Sequence, residues 1–75
     1  MLNITDLKVN EYAKIIKIEG DFKVKNRLLE LGFVNDALIK VLAISSLKKT
    51  FLLEVQNSVI AIRNSTLKDV FICKQ

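Results

Sequence analysis

The 75-residue chain is 51% hydrophobic and 27% charged, enough for one small core and too short for two domains. Its single cysteine, Cys73, excludes an intrachain disulfide, and the absence of histidine excludes both an imidazole–thiolate zinc site and the commonest group for acid–base catalysis at neutral pH. Twelve Lys/Arg against eight Asp/Glu give a formal charge of +4, which favours an acidic partner, a nucleic acid or an anionic membrane leaflet without choosing among them.

Residues 1–7 carry no basic segment followed by a long apolar one, and no apolar run is long enough to cross a bilayer. This predicts a soluble cytoplasmic protein. Tyr12–Glu19 is rich in β-branched residues with polar ones interleaved, so it is predicted to be a strand ending at the turn pair Gly20-Asp21. Its alternation slips at Ile15-Ile16, where either both faces are partly covered or a β-bulge bends the strand. From Phe22 to Leu31 the period changes, with Val24, Leu28 and Leu31 at i, i+4 and i+7, and an amphipathic helix is expected. Asp21 is placed to cap its start, and Gly32 to take the left-handed position after its end.

Period two returns in 37–44, 51–56 and 59–63, giving three strands, the last two joined as a hairpin across Gln56-Asn57-Ser58. Ser45–Thr50 is a basic loop, Asn64–Leu67 a helical turn, and Asp69–Cys73 a last short strand. The predicted fold is therefore mainly β, with about five strands and one α-helix after the first. Strands so short, joined by tight turns, should curl into a small barrel forming one domain over residues 1–75.

The run Arg27-Leu28-Leu29-Glu30-Leu31-Gly32-Phe33, an apolar strand shortly after it, and Ile60-Ala61-Ile62-Arg63 near the end resemble the FeoA family of ferrous-iron-uptake accessory proteins over nearly the whole chain. The family pattern reads approximately R-L-x-x-L-G-[LIF]-x-P-G, then a loop near A-P-L-G-D-P, then a hairpin ending near I-A-L-R. Here Asn35-Asp36 occupies the Pro-Gly turn, Ser46–Thr50 replaces P-L-G-D-P with Leu47 retained, and Asn57 and Asn10 stand where turn glycines are usual. Asn and Asp take positive φ at modest cost, so these turns are expected to survive. The resemblance implies an SH3-like barrel and a cytoplasmic protein that regulates iron uptake by binding FeoB, the GTP-hydrolysing ferrous-iron permease. It would then be peripheral to the inner membrane through that partner, with no catalysis and no cofactor of its own.

The candidate partner-binding residues are Arg27, Leu29, Glu30, Gly32, Phe33, Leu47, Lys48 and Lys49. Leu28 and Leu31 are expected in the core and Leu29 at the helix edge, available for contact. Arg27 and Arg63, the only arginines, suggest an arginine finger for a GTPase, but a helix and a strand end suit structural pairing better, Arg27 lying three residues from Glu30. Lys48 and Lys49 form an exposed tip that could meet an acidic surface or anionic lipid. No metal site is expected, because Glu19, Asp21, Glu30, Asp36 and Glu54 show no D-x-D or E-x-x-E spacing, and Cys73 reads as a small buried apolar residue.

The alternative is a small basic barrel that binds nucleic acid. It needs exposed aromatics, yet Phe22, Phe33, Phe51 and Phe71 read as lying on apolar faces and only Tyr12 is ambiguous. A third possibility, the barrel of a metal-responsive repressor, is disfavoured because no helix-turn-helix precedes the first strand. The high apolar fraction also leaves surface for dimerisation or partner docking to cover.

Overall fold

In the computed structural model, which describes residues 2–75, six strands and two α-helices follow in the order β1 (Leu2–Asn3), β2 (Tyr12–Ile18), α1 (Phe22–Glu30), β3 (Leu38–Ile44), β4 (Thr50–Val55), β5 (Ser58–Arg63), α2 (Asn64–Leu67) and β6 (Val70–Lys74). All pairings are antiparallel, in one sheet ordered β1-β6-β2-β3-β4-β5. The predicted elements are present, and β1 is an additional strand whose two residues are too short to show a period. It pairs Leu2 with Ile72 and Asn3 with Phe71.

Alternation within the strands decides the core. Ala13 and Ile15 of β2, Ile39 and Val41 of β3, Phe51, Leu53 and Val55 of β4, and Val70 and Ile72 of β6 all point inward and are buried. The slip at Ile15-Ile16 is a bulge: Ile15 pairs with Ile72 and Lys17 with Phe71, leaving Ile16 as the extra residue. A second register shift leaves Leu42 unmatched between Val41 and Ala43 of β3. Such shifts increase local twist, which lets a short sheet wrap its apolar face.

Asp21 caps α1 by accepting a hydrogen bond from the Val24 amide at 3.0 Å. Of the helix residues only Leu28 is fully buried, with Val24 packed against the core beside it. Leu31 departs from its expected core position and is 37% exposed. The helix stops one residue before it, so the side chain belongs to the cap, and Gly32 at φ +100° turns the chain away. Phe33 then drops into the core.

The turn residues behave as their chemistry requires. Asn10, Asp36 and Asn57 have φ of 72°, 68° and 66°. Gln56 and Asn57 together form the two-residue hairpin turn between β4 and β5, Val55 pairing with Ser58. The turn before β2 is closed by the Glu11 carboxylate, which accepts the Lys8 amide at 2.7 Å and pairs with Lys74 at 3.3 Å. The Lys8 amide, more than the nearby lysine charges, holds the Glu11 carboxyl below its ordinary pKa.

Two further expectations about individual side chains fail. Cys73 is exposed, because Ile72 takes the inward place in β6 and alternation sends the next residue out. Phe22 is 79% exposed, since it opens α1 on the turn where the helix has not yet met the sheet.

Candidate docking site

The two arginines are 36 positions apart in sequence, on α1 and at the end of β5, and the fold brings them to one cleft. Val24, Arg27 and Leu28 supply one wall, and Ala61, Ile62, Arg63 and Thr66 the other, around a volume of about 320 Å³. The floor is aliphatic and both guanidinium groups belong to exposed residues. The structural pairing expected for them is not found. Among the described residues the ion pairs are Lys17–Glu19 at 3.1 Å and Lys74–Glu11 at 3.3 Å, and Glu30, the last residue of α1, reaches neither arginine. A cleft with an apolar floor and two unpaired guanidinium groups can take a segment that offers a carboxylate beside an aliphatic side chain.

Leu29 is 47% exposed and lines a different cleft, with Lys17, Ile18, Lys25 and Asn35. The candidate residues of the helix motif therefore separate by direction: Arg27 faces β5 and α2, while Leu29 faces the bulged strand β2. Gly32 is held by geometry rather than presented for contact, since a Cβ there would lie 2.9 Å from Gln56 Cγ. Phe33 must be withdrawn as a contact residue. It is 0% exposed, because the chain reversal at Gly32 aims its side chain inward, and its part is to anchor the helix.

The third group, Leu47, Lys48 and Lys49, sits on the loop between β3 and β4, where a short 3₁₀ turn spans Ser46–Lys48. Leu47 and Lys48 both have positive φ, 62° and 55°. The loop is closed by bonds from Ser45 N to Thr50 O (2.9 Å), Thr50 N to Ser45 Oγ (2.9 Å) and Lys48 N to Ser45 O (3.0 Å). It is tied outward by Asn64 N to Lys49 O at 2.9 Å and by Lys48 Nζ to Thr5 O at 3.1 Å. With Arg63 and Lys68 the loop bounds a cleft of about 700 Å³. Arg63 thus belongs to two clefts; it closes the second motif but was not among the candidate partner-binding residues, and Lys68 was not singled out at all. Only the strand order, which brings the end of β5 beside the start of β4, places them there.

Among the described residues no three Cys, Asp or Glu side chains gather as a metal-holding group. No helix among the described residues is long and apolar enough to cross a membrane. The exposed aromatics are Phe22 and Tyr12, and neither lines either arginine cleft. The arginine clefts therefore offer no ring on which a base could stack, and the exposed Tyr12 is covered by its own cation, Lys40 Nζ standing 5.2 Å from the ring centroid.

Residues 2–74 match the FeoA domain family. The protein named Fe(2+) transport protein A in Campylobacter jejuni is 26% identical over 69 residues, covering 92% of this chain and 93% of the relative. Among solved structures, the FeoA of Stenotrophomonas maltophilia, an SH3 domain protein crystallised with zinc, is similar with a TM-score of 0.84 and 22% identity, over 97% of this chain and 91% of its own. A manganese-dependent transcriptional repressor is similar with a TM-score of 0.90 and 9% identity, over 97% of this chain and 40% of its own. At such identities the likeness is one of fold, and the fold is SH3-like.

Proposed function

Because the chain belongs to the FeoA family of ferrous-iron transport, we propose that it is a cytoplasmic accessory protein that acts by binding the GTPase permease FeoB, with the cleft between α1 and β5 as its principal docking face. The convergence of Arg27 and Arg63 on that aliphatic floor is the observation that carries the docking face. Two guanidinium groups without carboxylate neighbours are primed for an acidic side chain of a partner, and water is readily displaced from a floor of valine, leucine and isoleucine. Leu29, in the separate cleft toward β2, is left as a second and independent contact point.

An arginine finger is a different use of the same residues. A finger must reach into a nucleotide site, whereas Arg27 projects from the last turn of a helix and Arg63 ends a strand, both regular elements suited to docking. The test is the affinity of the whole protein for the soluble GTPase domain and for the full-length permease, with GTP turnover measured at saturation. Arg27→Ala and Arg63→Ala should each weaken binding by about tenfold, the size of a lost charge-assisted hydrogen bond. Turnover at saturation should be unchanged. Unchanged affinity with slower GTP hydrolysis would replace docking by the finger, and unchanged behaviour in both assays would remove this cleft from the interface.

A further inference from the structure

Two features of the β3–β4 loop are unexplained by docking through the α1–β5 cleft. Leu47 is 85% exposed, the most exposed of the large hydrophobic residues. Around it stand Lys48, Lys49, Arg63 and Lys68, and none of the residues lining that cleft is acidic. Among the described residues none of these four cations forms an ion pair.

The loop holds its leucine out by construction. A leucine at φ 62° is in a conformation that its Cβ disfavours, and the position persists because five hydrogen bonds close the loop and fasten it to Asn64 and Thr5. An aliphatic side chain kept in water by a built loop, ringed by cations, is complementary to a surface that is negative outside and apolar beneath. We propose that this loop binds the surface of an anionic lipid bilayer, with Leu47 entering the acyl boundary and Lys48, Lys49, Arg63 and Lys68 at the level of the phosphates.

The chemistry favours lipid over the other acidic occupants. A nucleic acid admits a protruding leucine only by unstacking a base step, which costs free energy, and this cleft offers no aromatic ring to a base. An acidic protein would need a preformed apolar pocket matching one side chain, whereas a bilayer opens around any inserted group. The cation ring adds the second of the two signals that peripheral membrane binding requires, since one small apolar insertion holds only weakly alone. Thr50 and Ser65 supply hydroxyl donors for phosphate oxygens within the same cleft. The inference does not rest on docking to the permease, because it shares only Arg63 with the α1–β5 cleft and needs no partner.

The purified whole protein would be floated with vesicles of phosphatidylcholine alone and of equal parts phosphatidylcholine and phosphatidylglycerol, at low and high salt. Binding is expected to the anionic vesicles only, and to fall as salt rises. Leu47→Asn is the decisive variant, because asparagine accepts positive φ and the fold is retained, which its thermal unfolding would verify. It should reduce partitioning by about tenfold or more, the transfer of one leucine from water. Lys49→Gln with Lys68→Gln, chosen to spare the Lys48 bond to Thr5, should reduce it by about thirtyfold. Equal binding to both vesicle types, or no binding to either, would overturn the proposal. So would salt-dependent binding to a single-stranded oligonucleotide that is as tight as vesicle binding and indifferent to Leu47→Asn, which would assign the loop to nucleic acid.

Discussion

At Gly32 the missing side chain serves both the end of α1 and the hairpin turn that packs over it. Its φ of +100° belongs to the region that L side chains rarely enter, and an added Cβ would meet Gln56 Cγ at 2.9 Å. Rotation of the Gln56 side chain would move Cγ but leave Gln56 Cβ at 3.4 Å and Val55 Cγ1 at 3.5 Å, both held by the two-residue turn and the strand before it. Gly32→Ala is expected to destabilise the protein by about 1–3 kcal/mol. Urea unfolding should show a lower midpoint with an unchanged slope, and a loss well below that range would mean the hairpin yields. The motif Arg27–Phe33 mixes three kinds of residue that its letters do not distinguish. Gly32 is there for backbone geometry, Phe33 for the core, and Arg27 and Leu29 for opposite surfaces. Which residue does which follows from where α1 ends, and helix ends are the least visible boundary in a sequence.

Element by element, the sheet was legible because alternation and turn chemistry agreed. Every predicted strand is present within a residue or two, and the bulge at Ile16 is one of the two arrangements left open by the adjacent isoleucines in an otherwise alternating run. The bulge at Leu42 was hidden, since Val41-Leu42-Ala43 is apolar throughout and a register shift leaves no trace in it. Leu31 and Phe22 failed for a related reason: periodicity assigns a face to every apolar residue of a helix, although only one turn of α1 meets the core. That thin contact makes α1 depend on its cap. Asp21→Ala should cost about 1 kcal/mol. Hydrogen exchange should quicken among the α1 amides and hardly change in the central strands, and equal acceleration throughout would show that α1 and the sheet open as one unit.

For the molecule as a whole, 75 residues leave little stability in reserve, so single core side chains matter greatly. Leu28 is the one fully buried residue of α1, and Leu28→Ala should remove about 2–5 kcal/mol. That corresponds to a fall in Tm of about 10 °C or more for a domain this small. Calorimetry would measure it, and a fall of a degree or two would mean the barrel stands without its helix. The convergence of Arg27 and Arg63 is also a property of this scale, since nothing in either motif says that α1 lies against the end of β5. The strand order has one more effect, felt during biosynthesis. β6, the last of the six strands in chain order, lies between β1 and β2, the first two. Until Val70–Lys74 has emerged, β2 carries an open edge and β1 has no partner at all. The nascent chain can close its β3–β4–β5 meander early, but it completes its sheet only once β6 is available, and in that interval the unfilled edge of β2 is where a chaperone or another nascent chain would attach.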